Sequence, residues 1–361
     1  MPFDKKKGGS NKKGPDDRKL TIILSLILFA LTTIGIIIFF LMPDTQVQTP
    51  EEPEEEVTPP PELPEIYRAP SYNFTEEEVY IMAPDITREY TIAWVSDVHM
   101  ITDLEAGDVS EENLETVKNR YETLSVTPDG VHGKELWPEI VNYLNYNDFD
   151  AVIFGGDILD YCSTSNMEAL KKEFDRLKYP SDRILYLRAD HDMGTWYSDY
   201  STGFDDAKAS QLHEELDGND ESHKYIDLGE MIISGVNMSV RDPGETQMEV
   251  IKDIYSRGVP VITATHVPYY SKTDSSLEEL SMRVRNRIYY WSPEGELYDP
   301  DEEMQEYLEL IYDEDSPCVI VLAGHMHAMW DGEIREGLRQ HIFSPAFSGT
   351  IGVVHVLPKA G

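Results

Sequence analysis

Cationic side chains are scarce in this chain of 361 residues: 30 Lys and Arg face 68 Asp and Glu, for a formal net charge of -38 at pH 7. A surface of that sign lacks the basic patch that phosphate backbones require, so no nucleic acid is expected as a partner. Cysteine is nearly absent, with only Cys162 and Cys318. They fall at opposite ends of expected strands, whereas a disulfide needs Cα atoms within about 7 Å, so two free thiols are expected. No internal repeat is present.

The few basic residues are unevenly placed. Lys5, Lys6, Lys7, Lys12, Lys13, Arg18 and Lys19 precede the uncharged apolar run Leu20–Met42, and none follows until Arg68. At about 1.5 Å per residue the run reaches roughly 34 Å, enough for a hydrocarbon core of about 30 Å. It is too long for a cleaved signal peptide and no small-residue cleavage site follows, so a single membrane-spanning helix is expected. The positive-inside rule then keeps residues 1–19 in the cytoplasm and places the rest outside the cell membrane. Residues 43–66, rich in Pro and Glu, cannot bury a core and read as an extended, self-repelling stalk. The expected organisation is a basic tail (1–19), a transmembrane helix (20–42), a Pro/Glu-rich stalk and lead-in (43–85) and a folded domain (86–361). Without the tail and the stalk, 23 basic residues still face 57 acidic ones.

From Tyr90 onward, short β-branched runs alternate with helical patterns, the signature of an α/β domain. Strands are expected at 91–96, 151–155, 183–188, 259–264, 318–323, 340–343 and 351–357. Helices are expected near 111–124, 134–146, 167–177, 205–216, 247–255, 277–288 and 302–312, with a hairpin around 227–230.

Five strands end in carboxylate or imidazole side chains: Asp97 and His99; Asp157 and Asp160; Asp190, His191 and Asp192; His266; and His325 and His327. Ligands of open α/β sheets sit outside the carboxyl ends of strands, and mixed Asp/His sets suit borderline transition metals. Taken singly, each of these blocks is equally an ordinary capped turn or a buried histidine; their coincidence carries the argument.

In this order, the blocks Asp97-x-His99, Gly156-Asp157-x-x-Asp160, x-His191-Asp192, His266 and Gly324-His325-x-His327 resemble those of the calcineurin-like metallophosphoesterase superfamily, over roughly residues 90–356. The resemblance implies a four-layer α/β/β/α sandwich holding two divalent or trivalent ions of Mn, Fe or Zn. It implies that one metal takes Asp97, His99 and His327, that the other takes position 190, His266 and His325, and that Asp157 bridges them. His191 resembles the histidine beside the leaving group, and Asp160 the carboxylate that orients it, although Asp160 also reads as a helix cap. The implied activity is hydrolysis of a small phosphate ester by in-line attack of a metal-bridging hydroxide. The pattern does not separate monoester, diester, nucleotide or envelope-polymer substrates, and it does not set the oligomeric state.

One block departs from the family. Ala189-Asp190 stands where the pattern is Gly-Asn, and an ionised Asp is acceptor-only where Asn keeps an amide donor. With two divalent ions, Asp97, Asp157 and a hydroxide, an Asn site sums to plus one; Asp190 brings it to zero. Asp190 is therefore expected to weaken phosphate binding or to select a trivalent ion. A catalytically weakened metal-binding sensor or interaction module is the alternative reading. Tyr269, Tyr270, Tyr289, Tyr290 and Trp291 either line the site or pack beneath an insertion, and the excursion 101–133 is a candidate wall or lid.

Overall fold

The computed structural model describes residues 68–361 apart from 103, 105–108, 110, 112, 195–205, 222–223, 238–242, 294–299 and 360–361. The expected tail, membrane helix and stalk at 1–66 lie outside the described residues. Among the described residues no helix is long and apolar enough to cross a membrane.

Two sheets organise the domain. The first has the order β1 (Thr75–Ala83), β11 (Thr350–Pro358), β2 (Tyr90–Val95), β3 (Ala151–Phe154), β4 (Ile184–Tyr186). β1 runs parallel to β11 in the register Thr75 with Thr350 and Ala83 with Pro358. β11 is antiparallel to β2, and β2, β3 and β4 are parallel. The second has the order β5 (Tyr225–Asp227), β6 (Ile232–Val236), β7 (Val261–Thr265), β8 (Cys318–Ala323), β10 (Leu338–Ile342), β9 (Trp330–Arg335). β6, β7, β8 and β10 are parallel, with antiparallel β5 and β9 at the edges.

Strand alternation decides what each face buries. Ile92, Trp94, Ile153 and Leu185 of the first sheet share one core with Ile233, Ile262, Ile320 and Leu322 of the second. The alternate residues Ala93, Val95, Val152 and Phe154 turn the other way, onto α2 (Gly133–Tyr146) and α3 (Thr164–Phe174). Leu136, Trp137, Ile140, Val141 and Leu144 form the buried stripe of α2, the 3.6-residue spacing that its sequence shows. Val321 and Ala323 face a third core with Met248 of α6 (Gly244–Ser256), Leu277 of α7 (Ser276–Arg285) and Met304 and Ile311 of α8 (Glu302–Tyr312). The described residues form three further helices, α1 (Leu114–Thr123), α4 (Asp190–Met193) and α5 (Asp206–Glu215).

β1 corrects the expected boundary at residue 86, because it lies inside the span assigned to stalk and lead-in. Its opening Thr-Glu-Glu-Glu conceals an alternating strand: Val79, Ile81 and Ala83 are buried and Tyr80 and Met82 exposed. Glu77 also turns inward, accepting the Ser344 amide at 3.2 Å and facing His341 Nε2 at 2.7 Å. That buried His341 of β10 faces Asp331 of β9 through Nδ1 at 2.6 Å, so one imidazole ties the two sheets together. The two thiols are free and buried in different cores, as the spacing of the strands leads one to expect.

Candidate metal centre

Each parallel strand of the two sheets that ends in Asp or His delivers its side chain into a tightly pinned loop. Asp97 follows β2, Asp157 follows β3, His191 follows β4, His266 follows β7 and His325 follows β8. Asp97, His99, Asp157, His325 and His327 all adopt positive φ, at 55°, 49°, 54°, 71° and 53°. For L-residues that conformation costs roughly 1–2 kcal/mol each, and five together require a backbone that over-determines them. Backbone bonds between the loops do so: Asp97 N donates to Gly156 O at 2.9 Å, His99 N to Asp157 O at 3.0 Å and Gly324 N to His266 O at 3.1 Å. Gly324 is obligatory here, since a Cβ would lie 2.7 Å from Asp97 Oδ2 and from Ser96 Oγ.

The loops bring Asp97, His99, Asp157 and His327 together, and Asp157, His266 and His325 together, with the ligand atoms of each group within 4.8 Å of one another. Asp157 belongs to both. Its Oδ2 lies 3.2 Å from His266 Nε2 and 3.7 Å from His99 Nε2. His327 Nε2 lies 2.9 Å from His99 Nε2 and 3.3 Å from Asp97 Oδ1, while His325 Nδ1 lies 3.2 Å from His266 Nε2.

Tautomers follow from the partners behind the rings. His266 Nδ1 is 2.7 Å from the Gly155 carbonyl and His99 Nδ1 is 2.8 Å from Asp160 Oδ1, both obligate acceptors. Each ring must therefore carry its proton on Nδ1, which leaves the Nε2 lone pair of the neutral ring aimed at the cluster. This is the arrangement by which a histidine ligand is oriented from behind.

Electrostatics make the same demand for a cation. Burial alone would raise the carboxyls of Asp97 and Asp157, but the surrounding imidazoles hold both well below the usual carboxylate range. Burial disfavours the His266 cation, yet the Asp157 carboxylate pushes it up to about 10. Burial and the neighbouring His266 cation drive His325 well below its ordinary value, and burial takes His327 down to about 4. The His266 imidazolium thus stands beside Asp157 as its counter-charge.

Asp160 meets its expected partner differently. His191 Nδ1 lies 2.7 Å from the backbone carbonyl of Asp160, whereas the nearer carboxylate oxygen is 3.8 Å away. The Asp160 carboxylate instead faces His99 and accepts from Arg120 Nε at 2.9 Å and Nη2 at 2.5 Å. Burial opposes its charge, but Arg120 and His99 hold this carboxyl far below the usual range. A third set of close ligand atoms, His99, Asp160 and His191, is therefore already neutralised by an arginine.

Arg120 sits in α1, inside the excursion 101–133. Rather than standing apart as a lid, the described part of that excursion packs through Ile101 and Val117 against Tyr161. Asp192 is a second residue whose role no spacing reveals: its carboxylate accepts from the amides of Asp157, Leu159 and Ala189 and from the Tyr186 hydroxyl at 3.0–3.1 Å. It fixes the loop that presents Asp157.

Asp190, placed in the ligand set by resemblance, falls outside both groups among the described residues. It opens the short helix α4, and its charge nonetheless raises the basicity of His191 and His266. Of the neighbouring arginines, Arg188 pairs with Asp220 at 3.4 Å and Arg183 donates to the Asp227 carbonyl. Of the five aromatics, Tyr269, Tyr290 and Trp291 are core residues. Tyr289 alone reaches the centre, stacked on the His325 ring at 4.2 Å between centroids and 9° between planes. Phe347 covers the other group, 5.1 Å from His327 and 6.0 Å from His99.

The residues present fit a metal pair. The donor set mixes imidazole with carboxylate, as Mn, Fe and Zn prefer, and Asp157 Oδ1 is buried with no hydrogen-bond partner.

A model of the calcineurin-like phosphoesterase family matches residues 90–329. Among solved structures, a dimetal phosphatase from Danio rerio is similar at 10% identity and a TM-score of 0.43, over 73% of this chain and 89% of its own. A phosphopantetheinyl hydrolase from Mycobacterium tuberculosis is similar at 13% identity and a TM-score of 0.35, over 72% and 91%. A purple acid phosphatase from yellow lupin seeds is similar at 13% identity and a TM-score of 0.39, over 75% and 46%. No curated protein matches the sequence.

Proposed function

Since the chain belongs to the calcineurin-like phosphoesterase family, we propose that it hydrolyses small phosphate esters at a two-metal centre. The observation that carries this reading is Asp157, shared by both ligand groups, with one oxygen facing imidazoles of each and the other lacking a partner. Asp97, His99 and His327 would hold one ion, His266 and His325 the other, with Asp157 between. When bound, such a pair lowers the pKa of water and neutralises charge on the attacking and leaving oxygens of an in-line transfer. The two sheets with helices against their outer faces support the four-layer α/β/β/α sandwich.

The protein's own contribution centres on His191. Its Nδ1–H is held by the Asp160 carbonyl, so Nε2 carries a proton only when the ring is cationic. Burial opposes that cation, but Asp157, Asp190 and Asp160 raise its pKa. A protonated Nε2 gives a departing oxygen its proton, an effect of about 10²–10⁴-fold in typical cases. The Gly155 carbonyl orients His266, Gly324 lets the His325 loop approach Asp97, and Asp192 holds the loop that presents Asp157.

The apolar run Leu20–Met42 and its basic flank support a single-pass anchor, with the domain on the outer face of the cell membrane. Protease digestion of intact cells tests this: the domain should be cut before lysis.

The activity test uses the detergent-solubilised full chain loaded with Mn²⁺ and supplied with 4-nitrophenyl phosphate or its diester. Release from one of them, lost in Asp157→Asn, is expected. Two metals bound with no release from either ester would overturn hydrolysis and favour the metal-binding interaction module.

A further inference from the structure

Beside the second ligand group the strongly acidic chain presents an unbalanced pair of cations. Arg285 is the last residue of α7, and its Nη2 donates to the His325 carbonyl at 3.1 Å. Its Nε is buried with no acceptor. Arg287 stands two residues on and is exposed. Among the described residues no carboxylate lies within ion-pair distance of either, although Asp and Glu outnumber Lys and Arg by more than two to one.

The segment that carries them is held rigidly. Asn286 ends the helix at φ 56°, and the buried Ser281 hydroxyl donates to the Arg287 carbonyl at 2.8 Å while accepting the Tyr289 amide at 2.9 Å. Both guanidinium carbons then lie over the Tyr289 ring, at 4.9 Å for Arg285 and 5.1 Å for Arg287. The same ring is stacked on His325. A ring engaged by an imidazole and two guanidinium groups is not a platform for a nucleobase; it is a support that fixes two cations at the edge of the metal centre.

Building on the phosphoesterase reading, we propose that Arg285 and Arg287 bind a second anionic group of the substrate, a phosphate beyond the scissile one. The preferred substrate class is then a phosphoester bearing two phosphates rather than one. A guanidinium fork recognises such a group bidentately.

The test is equilibrium binding of propyl phosphate and propane-1,3-diyl bisphosphate to the Mn²⁺-loaded full chain, with metal content measured afterwards so that chelation is not read as binding. The bisphosphate should bind about tenfold more tightly or better. Arg287→Ala should bring the two within about threefold and Arg287→Lys should restore only part of the difference. The control Arg183→Ala should leave the preference intact. Equal affinities in the wild type, or a preference that survives Arg287→Ala, would overturn the assignment. Phosphate release from the same esters bears on hydrolysis separately: binding preference without release would leave the arginine site standing and remove the activity.

Discussion

His99 and Asp160 form a buried pair, Nδ1 to Oδ1 at 2.8 Å, and Arg120 closes on the far side of the same carboxylate. The imidazole is thereby aimed and its tautomer fixed by a carboxylate that stands behind the ring.

Weakening this pair should cost metal more than fold. Asp160→Asn keeps the shape but removes the charge, and a loss of about 10–100-fold in metal affinity is expected. Arg120→Ala instead strands a buried carboxylate and should lower unfolding free energy by about 3 kcal/mol. Calorimetric titration with Mn²⁺ checks the first and urea denaturation the second. Unchanged Mn²⁺ affinity in Asp160→Asn would refute the buttress.

Metal binding should expel a proton. Without metal, burial opposes the His266 imidazolium but Asp157 raises its pKa to about 10, and an imidazole must be neutral to bind a metal. Apparent affinity should therefore rise with pH throughout the range below that value, by up to about tenfold per unit. Titrations in buffers of different ionisation enthalpy should report about one proton released per chain at pH 8.

Asp190→Asn removes a charge that raises His191. The pKa of His191 should fall, so the alkaline limb of the kcat profile moves to lower pH, while kcat/KM at neutral pH rises through better phosphate binding. A pH–rate profile separates the two effects. If kcat/KM does not rise and metal content is unchanged, Asp190 does not restrain the site.

The tie between the sheets has its own pH signature. Burial opposes the His341 cation, but Asp331 and Glu77 outweigh it and raise its pKa. Its contribution to stability is complete below the ordinary histidine value of about 6.5 and is lost as pH rises through the raised folded value. Asp331, drawn down to about 2 by His341 and Arg339 against its burial, keeps its contribution until strong acid. Glu77→Gln should cost about 1–2 kcal/mol at pH 6 and much less at pH 9, measured by urea denaturation at both.

Much of the centre was legible in the sequence because each ligand loop follows an apolar strand. Val95, Phe154, Thr265 and Ala323 end such runs one to three residues before Asp97, Asp157, His266 and His325. What stayed hidden depends on pairing across the chain. β1 opens with Thr75 and three glutamates, and only the partners of Glu77 explain why such a strand docks. Arg120 is one charge among many on an amphipathic helix until Asp160 stands opposite it. The use of the Asp160 carbonyl rather than its carboxylate to hold His191 is a matter of backbone direction, which residue types do not encode. Tyr269 and Tyr289 look alike in sequence; one meets the Tyr307 hydroxyl at 2.9 Å in a core and the other meets a ligand ring.

The parallel register of β1 with β11 fixes the two exits of the domain. Thr75 lies level with Thr350, near where Gly352 pairs with Trp94 and the strand runs on to Asp97, while Ala83 lies level with Pro358 at the other end. A linker attached ahead of residue 75 departs from the rim that carries the metal centre; one attached after Pro358 departs from the opposite rim. Capturing the domain on a sensor chip by its N-terminal side therefore presses the pocket toward the matrix and throttles ligand delivery. Capture by the C-terminal side leaves it facing the flow.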